Sequence, residues 1–244
     1  MNLFTNAFNT LLYRPLFNIL ILLYTYLPGH DFGLAVILLT VLLRLVLYPI
    51  MNQTIRSQKA LADIEPKIEE IKEKFKNDQE GQAQEIIKLY KEKKINPFGI
   101  MLPLLIQLPL LIAFFQVFSR GLGVELMTNL YSFVPNPGEI NYSFLGLINL
   151  SQPNLFLAVA AGITLFFQLK KQNSKIKKKK GGKMDDMVRL SRATQKQMPY
   201  FFSAFSFAIL LKTPAALGLY WIITSLFSIG QQYILEKHDD SNQP

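Results

Sequence analysis

Apolar residues along this chain gather into long blocks at 32–51, 97–118, 153–169 and 198–235, not into the short alternations of a globular domain. Each of the first three is about the length of one bilayer-spanning helix, and the fourth is long enough for two. Lys212-Thr-Pro214 interrupts the fourth block, so a tight turn there divides it into spans at 197–211 and 214–235. The pattern predicts an all-α integral membrane protein with five core transmembrane helices. A shorter apolar stretch, Leu16–Leu27, precedes them, within a segment Leu11–Leu27 that carries Arg14, Pro15 and Asn18. Residues 1–31 are expected to form an amphipathic helix lying in the outer interface. A sixth span with the N-terminus inside also obeys the charge pattern. A signal peptide fits less well, because no small-x-small cleavage site precedes Asp31.

Charge orients the spans. Of the 26 Lys and Arg, ten fall in 52–96 and eleven in 170–196, whereas 119–152 holds only Arg120. The positive-inside rule makes the two basic segments cytoplasmic and 119–152 external. Span one then runs inward, and the tail at 236–244 ends in the cytoplasm. The mean hydropathy of +0.21 is modest only because these polar segments dilute the apolar blocks.

The two basic segments differ in kind. Within 52–96, Leu61, Ile64, Ile68, Ile71 and Phe75 are spaced 3, 4, 3 and 4, a single coiled-coil seam. Asn77–Gly81 breaks the helix, and a second stripe follows with Ile86, Ile87 and Tyr90 on its apolar face. Together these predict a cytoplasmic antiparallel helical hairpin, with Pro66 expected to kink or interrupt its first helix. Its seam either receives clients or partners, or holds the two helices together. By contrast, Lys177, Lys178, Lys179 and Lys180 lie in a low-complexity run suited to anchoring at an anionic lipid surface or to ribosomal RNA contact.

Candidate chemistry is sparse. There is no cysteine, only two histidines (both outside the apolar blocks), and no phosphate loop or catalytic triad, so no catalytic residues, metal or cofactor are expected. Inside the spans the ionisable residues reduce to Arg44, which costs roughly 2.5–3.5 kcal/mol at a helix centre. Thr40 and Tyr48, four residues to either side, share its face. Arg44 either snorkels about 10 Å to the nearer interface or lines a wet cavity. Uncharged polarity elsewhere in the spans (Gln107, Gln116, Thr164, Gln168, Thr224 and Ser225, with Tyr220-Trp221) favours the cavity.

Four stretches carry a family resemblance. Ile95-Asn-Pro-Phe-Gly-Ile-Met-Leu-Pro-Leu-Leu-Ile-Gln-Leu-Pro-Leu110 closely resembles the NP-G and PLLIQ-P elements of the YidC/Oxa/Alb family of membrane protein insertases. Leu39-Thr-Val-Leu-Leu-Arg-Leu-Val-Leu-Tyr-Pro49 is similar to that family's first core span, and Gly162–Phe167 and Gly218–Ser225 are similar to its later spans. The resemblance covers nearly the whole chain. It implies a groove open to the cytoplasm and the lipid but closed outward, with Arg44 as its positive charge, Thr40 beside it, and Tyr220, Trp221 and Gln168 facing the client. The chain is expected to guide nascent membrane proteins into the lipid bilayer without ATP and to act as a monomer, in a bacterial plasma membrane rather than a thylakoid because no transit-peptide-like presequence is seen. A ribosome and a Sec-type translocon are further expected partners. A large external domain and a basic tail, found in some relatives, are not expected here. Two other readings share these features: a small anion channel, and a folding chaperone beside another translocon.

Overall fold

The computed structural model describes residues 3–93, 95, 102–119, 129–173 and 186–241, and these are mostly helical. Nine α-helices are present among them: α1 Leu3–Phe8, α2 Arg14–Tyr26, α3 Phe32–Val46, α4 Tyr48–Lys74, α5 Gln79–Glu92, α6 Leu102–Ser119, α7 Leu155–Asn173, α8 Asp186–Leu210 and α9 Ala215–Ser241. A π-helical turn, Asn9–Tyr13, joins α1 to α2. α8 thus begins eleven residues before the span expected at 197, and α9 continues six residues beyond 235.

Apolar side chains cover the outside of the bundle as well as filling its core. Leu105, Leu108, Ile112 and Phe115 form an exposed apolar stripe along α6, and Phe156, Val159, Ile163 and Phe167 form another along α7. Thr224, Ser225, Ser228, Gln231 and Gln232 are buried on α9. That distribution is stable only where hydrocarbon surrounds the helices and the polar groups find partners within the bundle. By length and composition, Thr5–Tyr26 and Leu155–Gln172 are each able to cross a bilayer, as are α3 and α4 taken as one bent pair. Leu105–Ser119 and Gln197–Leu210 are shorter apolar helices.

Contacts at the helix ends set the directions. Phe32 opens α3 and packs edge-on against Phe118 near the end of α6, so these helices are antiparallel. Lys171 near the end of α7 pairs with Glu236 in the last turns of α9 at 3.7 Å, so those two are parallel. Small residues bring α7 close to its neighbours: Gly162 faces Ser203 and Phe207 of α8, and Gly218 of α9 faces Leu157.

Segment 129–152 covers the end of the bundle where α3, α7 and α9 begin. Leu145 N–H donates to the Asp31 carboxylate at 2.6 Å, while the other oxygen of Asp31 caps α3 at Leu34. Ala215 and Ala216 N–H donate to the carbonyls of Gln152 and Leu150. Gly33 has no side chain because the Phe144 ring occupies the place of its Cβ. α2 is tied to this segment at both ends. Arg14 and Asn18 donate to the Asn129 carbonyl, each at 3.0 Å, and the Tyr24 hydroxyl accepts from Asn141 N–H at 2.9 Å.

At the opposite end α3 bends by 62° into α4. Pro49 lies in the first turn of α4 and offers no N–H to the Leu45 carbonyl, so the helix breaks at Leu47. Pro66, expected to kink or interrupt the first helix of the hairpin, does not interrupt it and lies inside a continuous helix of 27 residues. It removes one hydrogen bond, but Leu61, Ile64 and Ile68 on the turns around it pack against α5 and hold the helix together. On α5 the buried apolar residue is Leu89, whereas Ile87, expected on that face, is 52% exposed. Asp78 caps α5 by accepting from Gly81 N–H at 2.9 Å.

Asn18 is buried and also accepts from Tyr131 N–H at 2.7 Å. Asn18→Ala strands that donor and is expected to cost about 1–3 kcal/mol. The expected readout is a lower thermal midpoint of the detergent-solubilised chain, with helix content unchanged before the transition.

Candidate functional site

Arg44 lies in the last turn of α3 and is 8% exposed. Its guanidinium donates to Gln107 Oε1 of α6 at 3.1 Å, and Gln107 Nε2 donates to the Tyr220 hydroxyl of α9 at 2.6 Å. Three helices therefore meet through one amide. No carboxylate of the described residues pairs with Arg44. A guanidinium carries five N–H donors, and a neutral amide cancels none of its charge. The site presents a desolvated cation with donor capacity to spare, which suits it to an incoming carboxylate or carbonyl.

Polarity continues from this set toward the bend. Tyr220, Thr224, Ser228 and Gln231, spaced 4, 4 and 3, are all buried on one face of α9. Gln231 Nε2 donates to the Tyr48 carbonyl at 3.1 Å and to Asn52 Oδ1 at 2.6 Å, clasping the first turns of α4. The column thus runs along α9 from Tyr220 to Gln231, while the facing helices contribute Arg44, the Tyr48 carbonyl and Asn52. Ser228, Gln231 and Asn52 escaped the sequence reading. The period of α9 was a usable signal; nothing local in Asn52 named its partner 179 residues away.

Toward the segment 129–152 the surroundings turn aromatic. Tyr220 stacks on Phe114 with ring centroids 4.2 Å apart, Phe114 meets Phe118, Phe118 meets Phe32, and Phe32 meets Tyr142. These five rings, all but Tyr142 buried, fill the space between the polar set and the covered end.

The other residues singled out from the sequence divide. Thr40 is fully buried one turn from Arg44, but its hydroxyl donates to the Val36 carbonyl of its own helix at 2.7 Å. Trp221 is half-buried and packs against the core. Gln168 of α7 makes no hydrogen bond to the Arg44 set, and its Oε1 is buried without a hydrogen-bond partner among the described residues. In the hairpin, Leu61 and Ile64 are buried against Leu89, with Ile68 and Ile71 packed alongside. Phe75 ends α4 beside Gly81. The seam is thus occupied within the hairpin itself. Lys177 to Lys180 lie outside the described residues, as does the Asn96–Met101 part of the motif.

Residues 22–242 match the family described as 60Kd inner membrane protein. Proteins named membrane protein insertase YidC are similar over most of the chain. That of Clostridium tetani is 33% identical over 210 residues, covering 86% of this chain and 84% of its own. That of Fusobacterium nucleatum is 31% identical over 207 residues, covering 85% and 87%. That of Syntrophobacter fumaroxidans is 30% identical over 235 residues, which is 94% of this chain but 38% of that protein.

Gln107→Leu leaves the Arg44 guanidinium without its amide acceptor and is expected to destabilise the chain by about 1–3 kcal/mol. Gln107→Glu supplies a counter-charge at the same position and is expected to unfold at a higher temperature than Gln107→Leu. Thermal melts of the two variants in one detergent make the comparison.

Proposed function

The chain belongs to the YidC/Oxa/Alb family of membrane protein insertases, described as 60Kd inner membrane proteins, and from that premise we propose that it guides nascent membrane proteins from the cytoplasm into a bacterial plasma membrane through a hydrated groove at Arg44. The observation that carries this reading is the buried cation whose described side-chain partner is a neutral amide.

In this reading α3, α6, α7, α8 and α9 are the five spans. Support comes from the alternating directions of their ends and from the apolar stripes on their outer faces. α1 and α2 lie in the outer interface. Composition alone would let Thr5–Tyr26 cross, but hydrogen bonds tie α2 at Arg14 and at Tyr24, ten residues or about 15 Å apart, to one external segment.

The physical task is to move a short polar segment across about 30 Å of hydrocarbon. Eleven residues separate Tyr220 from Gln231, so the polar column covers about 16 Å, roughly half that thickness. Water entering from the bend would leave only the remainder dry. A client carboxylate costs roughly 2.5–3.5 kcal/mol at bilayer depth. A cation 4 Å from it returns about 4 kcal/mol at an effective dielectric of 20, enough to offset that cost without trapping the client. The client's apolar helix then leaves sideways into lipid, driven by roughly 25 cal/mol per Å² of apolar surface removed from water. No bond is made or broken and no nucleotide is needed. The aromatic rings from Tyr220 to Tyr142 favour this reading over an anion channel, which needs a path open at both faces.

Insertion into liposomes containing only this protein tests the proposal. With a client whose translocated segment is acidic, Arg44→Ala is expected to slow insertion at least about tenfold, or about 1.4 kcal/mol of barrier, while Arg44→Lys retains it. A client with neutralised acids is expected to ignore the substitution. Equal insertion of the acidic client by Arg44→Ala would overturn the electrostatic role. Because the chain has no cysteine, Thr5→Cys gives a single probe for the N-terminal helix. Labelling by an impermeant maleimide from outside intact cells is expected; protection there would instead favour a sixth span.

A further inference from the structure

At the bend between α3 and α4 lies an open cleft of about 560 Å³ that the mechanism above does not use. One wall is a single face of α4, with Pro49, Asn52, Gln53, Arg56 and Ser57, and the other comes from Lys93 after α5. Among the described residues, the lining holds two cations and three neutral hydrogen-bonding side chains, and no carboxylate. The spacing 49, 52, 53, 56 places these α4 residues on adjacent turns of one face.

The cleft also stands at a particular depth. Asn52 is the first residue beyond the apolar run 32–51. Leu45, Val46 and Ile50, just before it, are 54%, 73% and 39% exposed, as hydrocarbon-facing side chains are. A cationic, donor-rich hollow directly above exposed apolar residues matches a phospholipid, with its anion in the cleft and its chains along the helix. We propose that this cleft binds the phosphate group of an anionic phospholipid in the cytoplasmic leaflet. The bound headgroup would brace the two arms of the hairpin against each other, because Arg56 belongs to one and Lys93 to the other. Asn52, held by Gln231 of α9, fixes the floor of the cleft to the last span.

The inference rests on the chain's being embedded in a bilayer, and not on how it handles clients. Its test therefore reads bound lipid, not insertion. The full chain would be extracted from phosphatidylcholine membranes containing phosphatidylglycerol, and the lipid retained would be counted by native mass spectrometry. Arg56→Gln with Lys93→Gln is expected to weaken phosphatidylglycerol retention about 30-fold, the order set by two basic side chains at an anionic surface. Lys67→Gln with Lys91→Gln removes the same charge from exposed hairpin positions outside the cleft and is expected to leave retention unchanged. Ser57→Trp fills the cleft without changing charge and is expected to lower retention as well. Equal retention by the two charge pairs would overturn the site. Displacement of the lipid by inorganic phosphate or an acidic peptide as readily as by added phosphatidylglycerol would overturn its assignment to lipid.

Discussion

A cation held inside the bundle with no counter-charge among the described residues is the constraint around which this molecule is arranged. Arg44 cannot be desolvated alone, because the penalty for an unpaired buried charge is several kcal/mol. The chain meets that penalty with polarity instead of opposite charge. Gln107 bridges Arg44 to Tyr220, and a face of α9 is given over to Thr224, Ser228 and Gln231. A carboxylate in place of Gln107 would make a tighter and more stable core. Under the proposed function it would also occupy the cation that a client is to bind, so the weaker arrangement is the one that reading requires.

The two ends of the polar column are built differently, and the difference gives it a direction. Toward segment 129–152, rings fill the space from Tyr220 to Tyr142, and Asp31, Leu150 and Gln152 tie the covering segment to α3 and α9. Toward the hairpin, the 62° break at Leu47 swings α4 away from the line of α3, and the column ends in polar groups, Gln231 against Asn52 and the Tyr48 carbonyl. In the proposed mechanism, water would enter at the polar end and the aromatic surface would close the other, so that a polar segment could enter halfway without opening a conduit for ions. The exposed apolar stripes on α6 and α7 fit the same solvent.

The hairpin is joined to this core by few groups. Its seam is satisfied internally, with Leu61 and Ile64 against Leu89. Gln231 clasps Tyr48 and Asn52 at the point where α4 leaves the bundle, and the cleft beside it holds Arg56 and Lys93 from the two arms. An anion shared by those arms at the membrane surface would link the angle of the hairpin to the lipid around the protein.

Much of this was legible along the chain. Block lengths marked the apolar helices, the 3-4 spacing marked the hairpin seam, and a lone arginine in an apolar run marked the site. Each is a local pattern, set by helical period and by the cost of dehydrating charge. Pro66 predicts a kink or interruption of the first hairpin helix, yet that helix runs on through it, and a 62° bend falls instead at Leu47, two residues before Pro49. Thr40 has the right period but spends its hydroxyl on Val36. Only tertiary structure decided that Gln107 would join Arg44 to Tyr220, residues 63 and 113 positions away from it, and that Gln231 would clasp Asn52. Periodicity tells which face of a helix must be satisfied; which distant group satisfies it depends on how helices pack, and packing is a property of the whole chain.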